Sequence, residues 1–136
     1  MKLNVEKLSA KPWWNLEPEV VQELLVPRGF IGEEERRALH YIARNCISGA
    51  GQIVDAGACI GSSAFCLASG LARSPLRGNT RVHSYDRFTS EAEYVSELVT
   101  QNFKPCTVGT DIYDVYETQI KPYKSFISAA PWRFHG

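Results

Sequence analysis

The sequence predicts an α/β fold, a parallel sheet with flanking helices, on three observations. A β-branched run, Gln52-Ile53-Val54-Asp55-Ala56, meets a glycine-bearing turn that reaches Ser63. The stretch from Ala64 to Ala72 is apolar nearly all round, as a helix buried between layers is. A second run, Thr80 to Asp86, reads as a strand that ends in a carboxylate. Strand, helix and strand in that order form a crossover unit, and such units are right-handed and join parallel strands.

Each element follows from local chemistry. Residues 1–31 read as an irregular segment, because Pro12, Pro18 and Pro27 interrupt any long helix. Trp13 and Trp14 within it are expected to plug the domain rather than to cover a pocket. Residues 32–136 read as a partial core. It opens with a helix that carries Glu33, Glu34 and Glu35 in its first turn and an apolar stripe of Ala38, Leu39, Ile42, Ala43 and Cys46. Gly49 and Gly51 end that helix. After the strand, turn and buried helix, the polar loop Arg73 to Asn79 leads to the second strand. Glu91 to Asn102 has a helical apolar period and stops at Lys104-Pro105, and Asp111 to Ile120 reads as a helix ended by Pro122. Tyr123 to Ile127 fits either element type, and Pro131 to Gly136 reads as a loop. Only two strands are clear.

Composition narrows the function. The 136 residues form one domain's length, and fifteen Lys and Arg balance fifteen Asp and Glu. A net charge of zero removes the electrostatic footprint of a nucleic-acid or anionic-membrane binder, so neither is expected as a partner. No apolar stretch approaches bilayer length and the first seven residues hold no signal-peptide run, so a cytoplasmic location is expected. Cys46, Cys59, Cys66 and Cys106 form no C-x-x-C pair; they are expected to be small buried hydrophobes, with no metal site in this chain. His40 lies in an amphipathic helix, His83 is expected to face a helix layer and His135 sits on the tail; none is assigned a catalytic role.

The informative constellation is Asp55-x-Gly57-x-x-x-Gly61-x-Ser63. A glycine at the carboxyl end of a strand lets backbone approach a ligand, and a helix starting near Ser62 and Ser63 presents free N–H groups to an anion. The Asp55 carboxylate on the same turn favours a cation. A ligand with both an ammonium and a carboxylate, such as the methionine end of S-adenosylmethionine, matches that pair. Asp86 closes the next strand where a nucleoside-binding fold presents an acid to ribose hydroxyls.

On the runs Ile53 to Ser63 and Val82-His83-Ser84-Tyr85-Asp86-Arg87-Phe88, the sequence resembles class I S-adenosylmethionine-dependent methyltransferases of the macrocin O-methyltransferase-like branch. The resemblance covers residues 33–88 and implies a Rossmann-like parallel sheet. It implies that Asp55, Gly57, Ala58, Gly61, Ser62 and Ser63 hold the methionine end, that Asp86 holds ribose, and that Arg87 and Phe88 flank the nucleoside. The reaction implied is O-methylation of a small-molecule or sugar hydroxyl. One departure is the twenty-nine positions from Gly57 to Asp86, against about twenty in dinucleotide folds; the loop from Arg73 to Asn79 absorbs the excess. The family's metal-binding and acceptor-side carboxylates follow later strands and match no residue here, so a divalent metal would need residues beyond this chain.

Two other readings stay open. A nicotinamide dehydrogenase wants glycine at the second and third places of G-x-G-x-x-G, and counting from Gly57 those places hold Cys59 and Ser62. The chain also reads as a truncated N-terminal fragment, a non-catalytic nucleoside-binding piece, because a doubly wound sheet needs more strands than the sequence shows.

Overall fold

The computed structural model describes residues 5–131. The N-terminal segment is helical where the sequence predicts irregular chain: α1 (Val5–Ser9), a 3₁₀ turn (Pro12–Asn15) and α2 (Pro18–Leu24). Pro12 and Pro18 each stand first in their helix, where a missing N–H costs nothing and a fixed φ is already helical. They start helices rather than break them.

Helix α3 (Glu33–Asn45) forms as the acidic first turn predicts, and Arg36, His40 and Ala43 make its buried stripe. Arg36 is tolerated there because its guanidinium donates to three main-chain oxygens, those of Leu24 and Pro27 at 2.7 Å and of Ile31 at 3.1 Å. It thereby closes the carboxyl end of α2 and pins the segment to α3. Both tryptophans lie against α3, Trp13 half-buried as the plug reading expects and Trp14 46% exposed, contrary to it. Trp13 meets Tyr41 edge-on, and Trp14 donates to Glu34 at 2.7 Å beneath the Arg37 guanidinium.

The predicted crossover unit is present as β1 (Ile53–Ala56), α4 (Ser62–Ala72) and β2 (Val82–Asp86). Beyond it come α5 (Glu93–Asn102), α6 (Tyr113–Ile120), a 3₁₀ turn (Lys121–Phe126) and β3 (Ile127–Pro131). Helix α6 ends at Ile120, as predicted, and the chain continues as a 3₁₀ segment with Pro122 in its first turn. The third strand is a correction to the two that the sequence makes clear: Ile-Ser-Ala-Ala-Pro has one β-branched residue and no alternation to announce it. All three strands are parallel in the order β1-β2-β3, with Ile53, Val82 and Ile127 in register.

Those three residues point to the helices. Ala64, Leu67, Ala68 and Leu71 of α4 pack with Val82, Ile127, Tyr116 and Ile120 in one core, against which Ile53 leans. A second cluster joins Val95 and Val99 of α5 to Ile60, Ile112 and Val115. Close packing of α3 on α4 requires Gly70, whose added Cβ would lie 2.1 Å from the carbonyl oxygen of His40.

The opposite face of the sheet is open among the described residues. Val54 is 65% exposed and Tyr85 42% exposed. His83 lies on this face with Nε2 2.9 Å from Gln52 Oε1, so it does not face a helix layer as predicted. Among the cysteines, Cys66 is buried as expected, while Cys46, Cys59 and Cys106 are only half-buried free thiols. No helix among the described residues is long and apolar enough to cross a membrane.

Candidate functional site

The chain leaves β1 and enters α4 within five residues, and this reversal demands left-handed backbone at alternate positions: Gly57 (φ 79°), Cys59 (φ 50°) and Gly61 (φ 97°). The two glycines do different work. A Cβ on Gly61 would press to 2.9 Å from Ile120 Cγ2 and 3.1 Å from Tyr116 Cδ2, so Gly61 is set by packing beneath the turn. A Cβ on Gly57 would meet nothing within 4 Å, so the backbone there stays open to an approaching group. The amides of Gly57 and Ala58 both donate to the Tyr85 carbonyl, at 2.8 and 3.3 Å, tying the turn to the end of β2.

Asp86 completes that tie. Its Oδ2 accepts from the Cys59 amide at 2.9 Å and its Oδ1 from the Phe88 amide at 2.7 Å. Cys59 and Phe88 are two of the three non-glycine residues with positive φ among the described residues, a conformation that costs on the order of 1–3 kcal/mol each. One carboxylate thus holds both strained residues in place. A carboxylate offers about four acceptor positions, so two remain on Asp86 for further donors.

Asp55 faces the other way. It lies beneath the turn, where Ser63 Oγ donates to Oδ1 and Oδ2 at 3.0 and 3.1 Å and Ser84 Oγ approaches Oδ2 at 3.4 Å. Burial pushes the Asp55 carboxyl above the usual carboxylate range, the two serine bonds oppose that rise, and the Asp86 charge adds to it. The neighbouring Tyr116 hydroxyl is buried without a well-formed hydrogen bond, and burial pushes its pKa up to about 12.

The predicted site residues therefore divide. Gly57 and Asp86 share the rim of the turn, and Asp55 and Ser63 meet under it. Ala58 and Ser62 are buried, and Phe88 is a core side chain, 1% exposed and packed on Tyr113 and Tyr116 at 4.9 and 4.7 Å between ring centroids. Phe88 does not flank an open surface as the resemblance implies, because its left-handed backbone turns the ring inward. Arg87 stays outside, paired with Glu91 at 3.4 Å.

At the start of α4, no side chain caps the helix, and among the described residues the amides of Ser62, Ser63 and Ala64 have no acceptor. Above them passes the loop that follows α2. Gly29 packs so closely on α4 that a Cβ there would fall 2.1 Å from Ser62 Oγ. Gln119 holds this loop: Oε1 accepts from the Arg28 amide at 2.5 Å, while Nε2 donates to the carbonyls of Arg28 at 2.8 Å and Ile60 at 2.6 Å. The sequence carries no signal for Gln119, because its partners lie 91 and 59 positions away. The Pro27-Arg28-Gly29 punctuation was the one available hint of the loop.

Among the described residues, four hollows on the surface are lined by none of Asp55, Gly57 or Asp86. Among the described residues no three His, Cys, Asp or Glu side chains gather to hold a metal ion. Fold and turn together define an α/β chain with a parallel sheet whose first strand feeds a helix through an open glycine turn. Compared with family models, curated proteins and solved structures, the chain matches none.

Proposed function

We propose that this chain is a Rossmann-like, S-adenosylmethionine-binding unit of the class I methyltransferase type, serving O-methylation of a small-molecule or sugar hydroxyl. The observation that carries the reading is the bond from the Cys59 amide to Asp86 across the strand boundary, at 2.9 Å. It makes the glycine turn and the acid of the next strand one preorganised rim at the carboxyl ends of β1 and β2, where open α/β sheets take their ligands. The described strand order is also that of one half of a doubly wound sheet, with the helices of that half on one face.

The residues present fit the cofactor at three points. Open space over Gly57 admits a close-lying ligand backbone. The uncapped amides of α4 favour the methionine carboxylate, and the two unspent acceptor positions of Asp86 suit ribose hydroxyls. Asp55 acts through Ser63, whose hydroxyl it orients, rather than by meeting the ammonium directly. The chemistry supplied by the bound cofactor is an electrophilic methyl group for an acceptor oxygen. Alignment of acceptor, methyl and leaving sulfur in a dry site then lowers the barrier.

A second reading, a nucleoside-binding piece without catalysis, is favoured by a separate observation: the Asp55 carboxylate is held under the turn by Ser63 and the Asp86 carboxylate latches the turn, so each has a structural task within the chain. Titration calorimetry with S-adenosylmethionine, S-adenosylhomocysteine and NAD separates the cases. Saturable binding of the first two with none of NAD is the expected result. Tighter binding of NAD, or binding of neither thioether nor sulfonium ligand, overturns the reading. Binding without methyl transfer selects the non-catalytic form.

A further inference from the structure

A second hollow, of about 480 Å³, lies between the loop after α2, the carboxyl end of α5 and the end of α6. Its apolar wall is built by Val26, Pro27, Phe65, Phe103 and Pro122. Two of these are exposed well beyond what packing alone asks, Val26 at 69% and Phe103 at 37%. The volume is that of a site for a small molecule.

Two charged residues line it, Glu23 and Arg28. Glu23 is spent: its carboxylate takes Arg73 at 3.1 Å, the Ser69 hydroxyl at 3.1 Å and the Tyr123 hydroxyl. Arg28 is the reverse case. Its main-chain N–H and C=O are both fixed by Gln119, yet its guanidinium makes no hydrogen bond or ion pair among the described residues. The backbone of this one residue is clamped across the fold, while its side chain, on an exposed residue beside the hollow, is left without a partner among the described residues. A guanidinium so placed matches a carboxylate bidentately, and aromatic and proline surfaces match an aryl or acyl body.

We infer that this hollow is a binding site for a small amphiphilic monocarboxylate, with Arg28 on the carboxylate and Phe65 and Phe103 against the apolar body. No residue of the turn between β1 and α4 lines the hollow, although Gln119, which does, also donates to the Ile60 carbonyl of that turn.

The test is titration of the full chain with 3-phenylpropanoate, followed by ¹H–¹⁵N NMR, beside 3-phenylpropanamide of the same shape without the charge. The acid is expected to give saturable shifts confined to the amides of Val26, Arg28, Phe65, Asn102, Phe103, Thr118 and Gln119, and the amide to bind at least tenfold more weakly. Arg28→Gln is expected to weaken the acid by the same factor and leave the amide unchanged, with an unaltered melting temperature because the Gln119 bonds reach only the main chain of residue 28. Absence of saturable shifts at millimolar acid, equal binding of acid and amide, or equal binding of the acid by the Arg28→Gln protein overturns the inference. The acid–amide comparison on the unaltered chain decides the matter even where the variant fails to fold. Because S-adenosylmethionine is absent from every arm, a negative result leaves the nucleoside reading untouched.

Discussion

Asp86 shows how one side chain can serve conformation without any ligand. Its oxygens receive the amides of Cys59 and Phe88, two non-glycine residues in left-handed conformation. In Asp86→Asn one acceptor becomes an N–H donor, which sets it against an amide, and an unmatched amide of this kind costs about 2 kcal/mol. Denaturant unfolding of the Asp86→Asn protein is expected to show that loss without any ligand. An unchanged midpoint would remove the latch role. Calorimetry on the same variant adds the second half: S-adenosylmethionine bound as tightly as by the parent chain would restrict Asp86 to the turn. The position of an acid at a strand end is legible in the sequence, since Val82 to Asp86 has strand chemistry and a carboxylate last. What the acid touches is not, because Cys59 lies 27 residues earlier.

At the scale of elements, the joint between α3 and α4 is the most demanding contact in the fold. Gly70 lies on the side of α4 that meets α3, and the His40 carbonyl occupies the place of its missing side chain. Gly70→Ala therefore drives the two helices apart, with an expected loss of about 3 kcal/mol in urea unfolding. A loss below 1 kcal/mol would mean that the helices slide without cost. The sequence marks α4 by its unbroken apolar character, and α3 by its acidic first turn and stripe, so both helices are recognisable in advance. It marks the N-terminal helices poorly, because a proline that opens a helix and a proline that breaks one are the same residue until the neighbouring packing is known. Strand β3 escapes for a similar reason: a short Ile-Ser-Ala-Ala-Pro run is strand-like only once β2 lies beside it.

Across the whole molecule, a half-buried polar network binds the N-terminal segment to the core. Glu23 of α2 meets Arg73, Ser69 and Tyr123, and Ser69 Oγ lies 3.1 Å from His40 Nδ1. Since Ser69 donates to Glu23, Nδ1–H of His40 donates to Ser69, leaving a bare Nε2 in apolar surroundings. Burial first, and then the Arg73 and Arg44 charges, lower the His40 pKa to about 4 from 6.5. Between those values the unfolded chain takes up a proton that the folded chain refuses. Stability is therefore expected to hold above pH 6.5 and to fall by on the order of 3 kcal/mol as pH drops to about 4. Comparison with His40→Gln isolates the effect, and parallel pH profiles for the two proteins would contradict it. The sequence by itself determined the crossover of β1, α4 and β2, the glycine turn and the acid that follows, because period, punctuation and strand chemistry are local. Only the tertiary structure decided that Asp55 and Phe88 turn inward, that Gln119 clamps Arg28, and that among the described residues the helices cover one sheet face and leave the other open. Those outcomes depend on which distant groups compete for the same space and the same hydrogen bonds, and neither competition is written in any one stretch of chain.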